Sequence, residues 1–344
     1  MKKVTNTSSR KADHIRINLE EQVTSSLTTR LEEYRFIHEA LPDLDLAGID
    51  LTASIFNSEV QSPLYISSMT GGTEEAARIN RNLSLAAQQA GIAMGVGSQR
   101  AALEDPSLAP SFQIRQYAPD ILLFANLGAV QLNYGIGVDG CRKVIDMIEA
   151  DALILHLNAL QEALQPEGDS NFKGLLNKIE QVAASIDRPV IIKEVGWGIS
   201  VSTAKRLYDV GVTAFDIAGS GGTSWSQVEM YRAKTDSQAR IASQFINWGI
   251  PTAEAISQLS AALPDATILA SGGLKNGVDI AKSIALGADL GGMASPFLKA
   301  AVISQEAVYD FITETNQVIK IAMFAAGIKD LKALKKTHKL VKVT

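Results

Sequence analysis

From Pro63 onward the chain alternates short, nearly all-apolar runs with amphipathic stretches, and this alternation narrows the fold more than any other feature. The apolar runs fall at 64–68, 92–96, 121–125, 152–157, 190–194, 214–218, 267–270 and 289–293. Helical patterns lie between most of them, at 74–90, 171–186, 202–210, 253–263 and 278–286. Strands that are apolar on both faces suit a parallel sheet covered on both sides. Eight strand–helix units fit a closed (β/α)8 barrel, an α/β fold of the TIM type. A doubly wound open sheet is the alternative, but no strand-order reversal is readable here. A length of 344 residues, 46% of them hydrophobic, suits one barrel-sized domain.

Residues 1–60 read differently. The stretch 10–19 is polar, 25–40 has the pattern of a helix with a charged face, and 41–56 opens on a Pro42-Asp43 turn with only short apolar pieces after it. Such a segment is too short and polar to bury its own core, so it is expected to pack on the barrel of 61–344 as an N-terminal extension. The stretch 225–248 interrupts the repeat after the sixth run, where a long loop would lie over the mouth of the barrel.

The net charge of −5 gives no general attraction to nucleic acid or to an anionic membrane. The lysine-rich stretch 329–342 reads as a solvated helix end. Cys141 is the single cysteine, which excludes an intrachain disulfide framework and a Cys-rich zinc site and fits a reducing cytoplasm. Neither a signal-peptide pattern nor an apolar run of about 18 residues is present, so a cytoplasmic protein with no membrane partner is expected.

Two consecutive strand ends are built from small residues: Ser271-Gly272-Gly273-Leu274-Lys275 after the seventh run and Gly292-Met293-Ala294-Ser295 within and after the eighth. Bare backbone N–H groups and helix starts there suit a phosphate, as in the site formed by the last two loops of a TIM barrel. The other strand ends add Ser68-Met69-Thr70, Ser98-Gln99-Arg100, Asn126, His156-Leu157-Asn158, Lys193-Glu194 and Ser220-Gly221-Gly222-Thr223. Ser68 or Asn126 alone also reads as a cap or turn residue, and His156 alone as a core histidine. Lys193 is different: an ammonium ending a strand of Val190-Ile191-Ile192 needs an anionic partner. Arg100, together with Arg10, Lys11 and His14 on the N-terminal arm, offers cations for a pyrophosphate, although a solvated charged terminus is the stronger reading of the arm until something explains why it should fold back. The one Gly-x-Gly-x-x-Gly, at 135–140, follows no apolar strand and reads as a loop, and neither a zinc motif nor a P-loop is present.

Arg10-Lys11-x-x-His14, Ser68-Met69-Thr70-Gly71-Gly72, Gly97-Ser98-Gln99-Arg100, His156-x-Asn158-x-x-Gln161-Glu162, Lys193-Glu194-Val195-Gly196, Ser220-Gly221-Gly222-Thr223, Ser271-Gly272-Gly273 and Ala294-Ser295-Pro296-Phe297 together resemble the type 2 isopentenyl-diphosphate isomerases. The resemblance runs in order from about residue 10 to beyond residue 325. It implies an FMN-dependent TIM barrel that interconverts isopentenyl and dimethylallyl diphosphate in isoprenoid biosynthesis. It further implies reduced FMN, Mg2+, NADPH or NADH as reductant, and a homo-tetramer or homo-octamer.

Carried over by motif, Ser68, Met69, Thr70, Ser98, Asn126, Lys193, Ser220 and Thr223 would contact FMN, with Gly272, Gly273, Lys275, Ala294 and Ser295 at its phosphate. Arg10, Lys11, Ser98, Gln99, Arg100, His156, Asn158 and Gln161 would face the substrate; His156, Asn158 and Gln161 are the expected catalytic set, and Glu162 the metal ligand. Lys275 departs from the family pattern, which usually has Arg, so a point charge replaces a planar fork. Two rival readings share the barrel: an FMN-dependent hydroxy-acid oxidase, which would not need Arg10, Lys11 or Glu162, and a non-catalytic phosphate-ligand sensor, which gives Lys193 and His156 no purpose.

Overall fold

The structure, a computed structural model, describes residues 6–343, the side chains of residues 6–10 and 12 excepted. Eight parallel strands close into a barrel: β1 (Leu64–Ile66), β2 (Ala93–Gly95), β3 (Leu123–Gly128), β4 (Ala152–His156), β5 (Val190–Lys193), β6 (Ala214–Asp216), β7 (Thr267–Ala270) and β8 (Leu290–Met293). Each pairs with its neighbour in sequence, and β8 closes on β1 through Gly292 opposite Tyr65. The eight expected runs are these eight strands. β3 is displaced toward its C-terminus, so Asn126 and Gly128 lie within the strand and not beyond it.

The runs are apolar throughout because one face of each strand fills the barrel and the other meets the helices. Tyr65, Phe124, Ile154, Ile191 and Leu269 point inward. Leu64, Leu123, Leu153, Leu155 and Ile268 belong to the larger core between barrel and helices. The helix Glu74–Ala90 shows how sequence bounds an element: Thr73 accepts the Ala76 N–H with its side chain, and Gly91 ends the helix at φ 65°. The interior at the strands' N-terminal ends is covered by a hairpin of Ala53–Ile55 and Ser58–Val60. Its two turn residues, Phe56 and Asn57, both have positive φ, the geometry that matches a two-residue hairpin turn to twisted strands.

The extension departs from the sequence reading. Residues 25–40 do not form the expected helix. A 3-10 turn at Leu31–Glu33 leads into a strand, Tyr34–Phe36, paired antiparallel with Leu340–Lys342. The pairing satisfies backbone groups that only a partner some 300 residues away supplies, and local helical periodicity cannot register such a partner. The lysine-rich tail is in part the expected solvated helix end, with Lys332, Lys335 and Lys336 exposed on and just after the short helix Leu331–Lys335, and in part a set of ion pairs. Lys335 pairs with Asp289, Lys339 Nζ with Glu39 at 2.7 Å, and Lys342 Nζ with Glu33 at 3.1 Å. The arm, in turn, is helical: α1 (Asn6–Glu20) is followed by extended chain hydrogen-bonded to the loop after β6, with the Ser25 N–H on the Gly222 carbonyl at 2.8 Å and the Ser224 N–H on that of Val23 at 2.7 Å.

The stretch 225–248 forms two short helices, α2 (Trp225–Arg232) and α3 (Asp236–Ser243). The His14 and Trp225 rings meet edge to face at 5.0 Å, so α1 and α2 together stand over the C-terminal end of the barrel. No helix among the described residues is long and apolar enough to cross a membrane.

Candidate active site

The strands' C-terminal ends and α1 enclose one cavity of about 700 Å3. Loops after the last three strands make one wall. Gly219, Gly221, Gly222 and Thr223 follow β6, Gly272, Gly273 and Lys275 follow β7, and Ala294 and Ser295 follow β8; all line the cavity. The glycines serve close packing of these loops as well as access to backbone. Gly272 has φ 95°, and a Cβ there would collide with the Gly219 carbonyl; a Cβ on Gly222 would lie 2.6 Å from the Gly273 nitrogen. Ala218, a non-glycine residue, is held at φ 39°, a strained conformation of the kind that clusters at functional loops.

The opposite wall is made of side chains. His156 Nδ1 lies 2.8 Å from Asn126 Oδ1, which places a proton on Nδ1. A Cβ on Gly128 would sit 3.2 Å from His156 Nε2, so Gly128 makes room for the ring. The Asn158 amide donates to Glu162 Oε1 at 2.8 Å, and Glu162 Oε2 accepts the Asp169 N–H at 2.7 Å. Gln161 donates to Glu229 Oε1 at 3.1 Å, and Gln165 reaches the same oxygen at 3.0 Å. Glu229 is buried, which by itself raises its carboxyl; the hydrogen bond and charge of His14, with Arg232 and Gln161, outweigh this and hold it below the usual range. Arg232 closes the network, at 2.6 Å from Glu229 and 2.9 Å from Glu167.

Between the walls, Ser68, Met69, Thr70, Ser98 and Lys193 line the cavity. Lys193 has the anionic partner its burial demands, Asp216 Oδ2 at 3.4 Å, directly opposite on β6. Lys11 reaches in from α1 and donates to the Ser98 carbonyl at 2.7 Å, its Nζ 4.7 Å from the centre of the Phe112 ring. Arg100 also lines the cavity, but its guanidinium is committed to Glu104 and Asp169, each at 2.6 Å.

Two expected residues do not line the cavity. Gln99 is fully buried; its amide donates to the Val144 carbonyl at 2.8 Å and its oxygen accepts the Asn126 N–H at 3.0 Å. Its side chain therefore anchors β3 and does not face a substrate. Ser220 is also fully buried, behind the loop. Arg10 belongs to α1, and its side chain lies outside the described residues. Residues the sequence reading left without a role include Glu229, Arg232, Gln165, Tyr65, Asp216 and Ser271. The i, i+3 spacing of Glu229 and Arg232 was a readable signal for the first pair.

The arrangement fits a flat, phosphate-bearing cofactor. The Ser68 hydroxyl and the Asn158 amide oxygen belong to residues lining the cavity and are buried without a hydrogen-bond partner, a costly state that a ligand would relieve. The glycine wall offers backbone, and Lys193 a cation. For a metal, no cluster of three His, Cys, Asp or Glu exists among the described residues. Glu162 fits a magnesium ion held by one carboxylate and by substrate phosphate, because its two oxygens retain lone pairs beyond the bonds described.

Comparison with known proteins identifies the family. Residues 156–341 match the FMN-dependent dehydrogenase family. An isopentenyl-diphosphate delta-isomerase of Nostoc sp. is 53% identical over 97% of this chain and 96% of its own. One of Rickettsia bellii is 52% identical over 96% of each chain. Among solved structures, mandelate oxidases share the fold alone, for example at TM-score 0.68 and 19% identity, covering 99% of this chain and 100% of that one. With half its length matched by the one model and nearly all of it aligned to the named relatives, the chain belongs to the FMN-dependent dehydrogenase family and to the isopentenyl-diphosphate delta-isomerases.

Proposed function

We propose that this protein interconverts isopentenyl diphosphate and dimethylallyl diphosphate by adding and removing protons with reduced FMN, a step of isoprenoid biosynthesis. The observation that carries the reading is the division of one cavity into a backbone wall suited to a flavin phosphate and a side-chain wall suited to a metal-bound diphosphate. FMN would rest on Ser68, Met69, Thr70, Ser98, Asn126, Lys193 and Thr223, with its phosphate at Gly272, Gly273, Lys275, Ala294 and Ser295. Lys11, Arg100 and Arg10 would hold the diphosphate, with Mg2+ at Glu162. The buried amide of Gln99 supports Asn126 from behind.

Reduced FMN, when bound, supplies an acid–base group for an unactivated alkene, which ordinary side-chain acids protonate poorly. The protein's part is to hold and orient. The Lys11 ammonium crosses from α1 to the barrel, where it donates to the Ser98 carbonyl. His156, with its proton fixed on Nδ1 by Asn126, presents one ring orientation to the cavity. Gln161 is held by Glu229 and Asn158 by Glu162, so the amides that would face the hydrocarbon are set before substrate arrives.

The same reading includes reduction by NADPH or NADH arriving from solution, since no dinucleotide-binding unit is recognisable in the sequence. It includes assembly into a homo-tetramer or homo-octamer, as the family resemblance implies. It also includes a cytoplasmic setting, with which the buried, unpaired Cys141 thiol agrees.

The deciding experiment incubates photoreduced holoenzyme with isopentenyl diphosphate and Mg2+ in D2O, without oxygen or further reductant. The expected result is many turnovers, deuterium in the product and a flavin that stays reduced. One product per flavin with reoxidation would assign hydride transfer instead, as in an oxidase.

A further inference from the structure

Beneath the cavity lies a buried polar cluster in which the sequence reading gave Tyr65 and Asp216 no role. Asp216, at the end of β6, has no exposed surface. Its Oδ2 accepts the Tyr65 hydroxyl at 2.8 Å, and its Oδ1 accepts the Ser271 hydroxyl at 2.5 Å. Oδ2 also lies 3.4 Å from Lys193 Nζ, whose remaining described bond is to the Glu194 carbonyl at 2.9 Å. Four strands thus contribute one group each: β1, β5, β6 and the residue after β7.

A core rarely carries a tyrosine, a serine, an aspartate and a lysine together unless the group is useful, because each must be desolvated. This barrel makes room for them. A Cβ on Gly292 would lie 2.6 Å from the Tyr65 hydroxyl and would collide with its ring, so the glycine at the floor of the cavity is what allows Tyr65 to stand there. Burial, reinforced by the neighbouring Asp216 charge, raises the Tyr65 hydroxyl well above its usual value, which keeps it a neutral donor. The ammonium of Lys193 has three donors, and the cluster accounts for two directions, toward Asp216 and the Glu194 carbonyl. Lys193 lines the cavity, so the third direction is available to a ligand there.

We propose that Asp216, held by Tyr65 and Ser271, is a positioning and charge-balancing residue that sets how much of the Lys193 positive charge reaches the bound flavin. This inference rests on the proposed FMN site. A cation against a flavin favours its electron-rich reduced form, and an anion 3.4 Å behind that cation offsets the preference. Two donors on the carboxylate spread its charge and so fix the degree of offset.

The test is the midpoint potential of bound FMN, measured on the holoenzyme by anaerobic photoreduction against a reference dye, with no turnover involved. Asp216→Asn removes the offsetting charge at constant shape. The reduced flavin should then bind about tenfold more tightly relative to the oxidised one, a shift of about +30 mV for a two-electron couple. Tyr65→Phe removes one donor from the carboxylate and concentrates its charge, so the potential should move the opposite way and by less. Opposite signs are the signature, since a merely structural role would move both variants together or neither. Shifts of the same sign, or none, overturn the proposal while leaving the FMN reading intact. If Asp216→Asn does not fold, Tyr65→Phe decides alone: a negative shift supports the proposal, and no shift or a positive one overturns it. Failure of the unaltered protein to bind FMN would overturn both this inference and the proposed function.

Discussion

The loops after β6, β7 and β8 are shaped by glycines in close contact with backbone, whereas β3, β4, the loop after β4 and α2 present side chains that hydrogen-bond to one another. On the glycine side Gly219, Gly222, Gly272 and Gly273 approach so closely that a single added Cβ meets backbone. On the other side Asn126 bonds His156, and Asn158, Glu162, Gln161 and Glu229 bond one another, at 2.8 to 3.3 Å. The first wall is a matter of sterics, and an error there is paid in folding. The second is a matter of charge and proton position, where side chains can be exchanged with the backbone left in place.

The sharpest way to break this contrast is to add one methyl group to the glycine side. Gly292→Ala should cost about 3 kcal/mol of stability, because the Tyr65 ring cannot retreat within a filled barrel, and FMN affinity should fall with it. Thermal melts with and without FMN check this. A variant as stable as the parent would show that the barrel floor is loose and that the two walls do not differ as described.

The next largest effect belongs to the side-chain wall. Arg100→Ala should leave folding and FMN binding nearly unchanged yet raise KM about 30-fold, the loss of about 2 kcal/mol from a charge-assisted contact to diphosphate. Steady-state kinetics with separate fits of kcat and KM measure it. A fall confined to kcat would remove Arg100 from the diphosphate and leave it as the partner of Glu104 and Asp169 only. Glu162→Gln should raise the Mg2+ concentration needed for half-maximal rate about tenfold at unchanged FMN affinity, since an amide is a poorer ligand for a hard cation. A Mg2+ titration of the rate that matches the parent's would take the metal away from Glu162.

How far the sequence revealed these walls follows from the same contrast. The barrel was legible because its strands are apolar on both faces and recur at helix-length intervals. The glycine wall was legible because Gly-Gly at two successive strand ends is a local pattern. The line was lost where meaning depends on distant partners. Tyr34–Phe36 reads as helix until Leu340–Lys342 is beside it. Tyr65 looks like core within its apolar run, and only the approach of Asp216 and Ser271 makes it part of a polar cluster. Gln99 shows the limit of motifs: its neighbours Ser98 and Arg100 face the cavity, while its own amide is turned to Val144 and Asn126. A motif names residue types, and the backbone decides which of them point inward.

The smallest expected effect concerns the join between the two walls, the loop after β5. Glu194 receives the N–H groups of Val195, Gly196 and Trp197 on Oε2 at 2.7, 2.8 and 2.6 Å. Burial pushes its carboxyl up to about 7, against the pull of those three donors. Because the folded-state value lies above the unfolded one, the folded protein keeps a proton on Glu194 that the unfolded chain has already released. The group's contribution to stability is therefore full below the unfolded value of about 4.3 and is lost as pH rises through about 7. Glu194→Gln cannot titrate, so its stability should lack this decline. Denaturant melts from pH 4.5 to 7.5 should show the parent losing ground to the variant as the pH rises. Parallel stability curves would mean that the three N–H groups outweigh burial and hold Glu194 ionised, which would make this loop an anion-capped turn like those of the glycine wall.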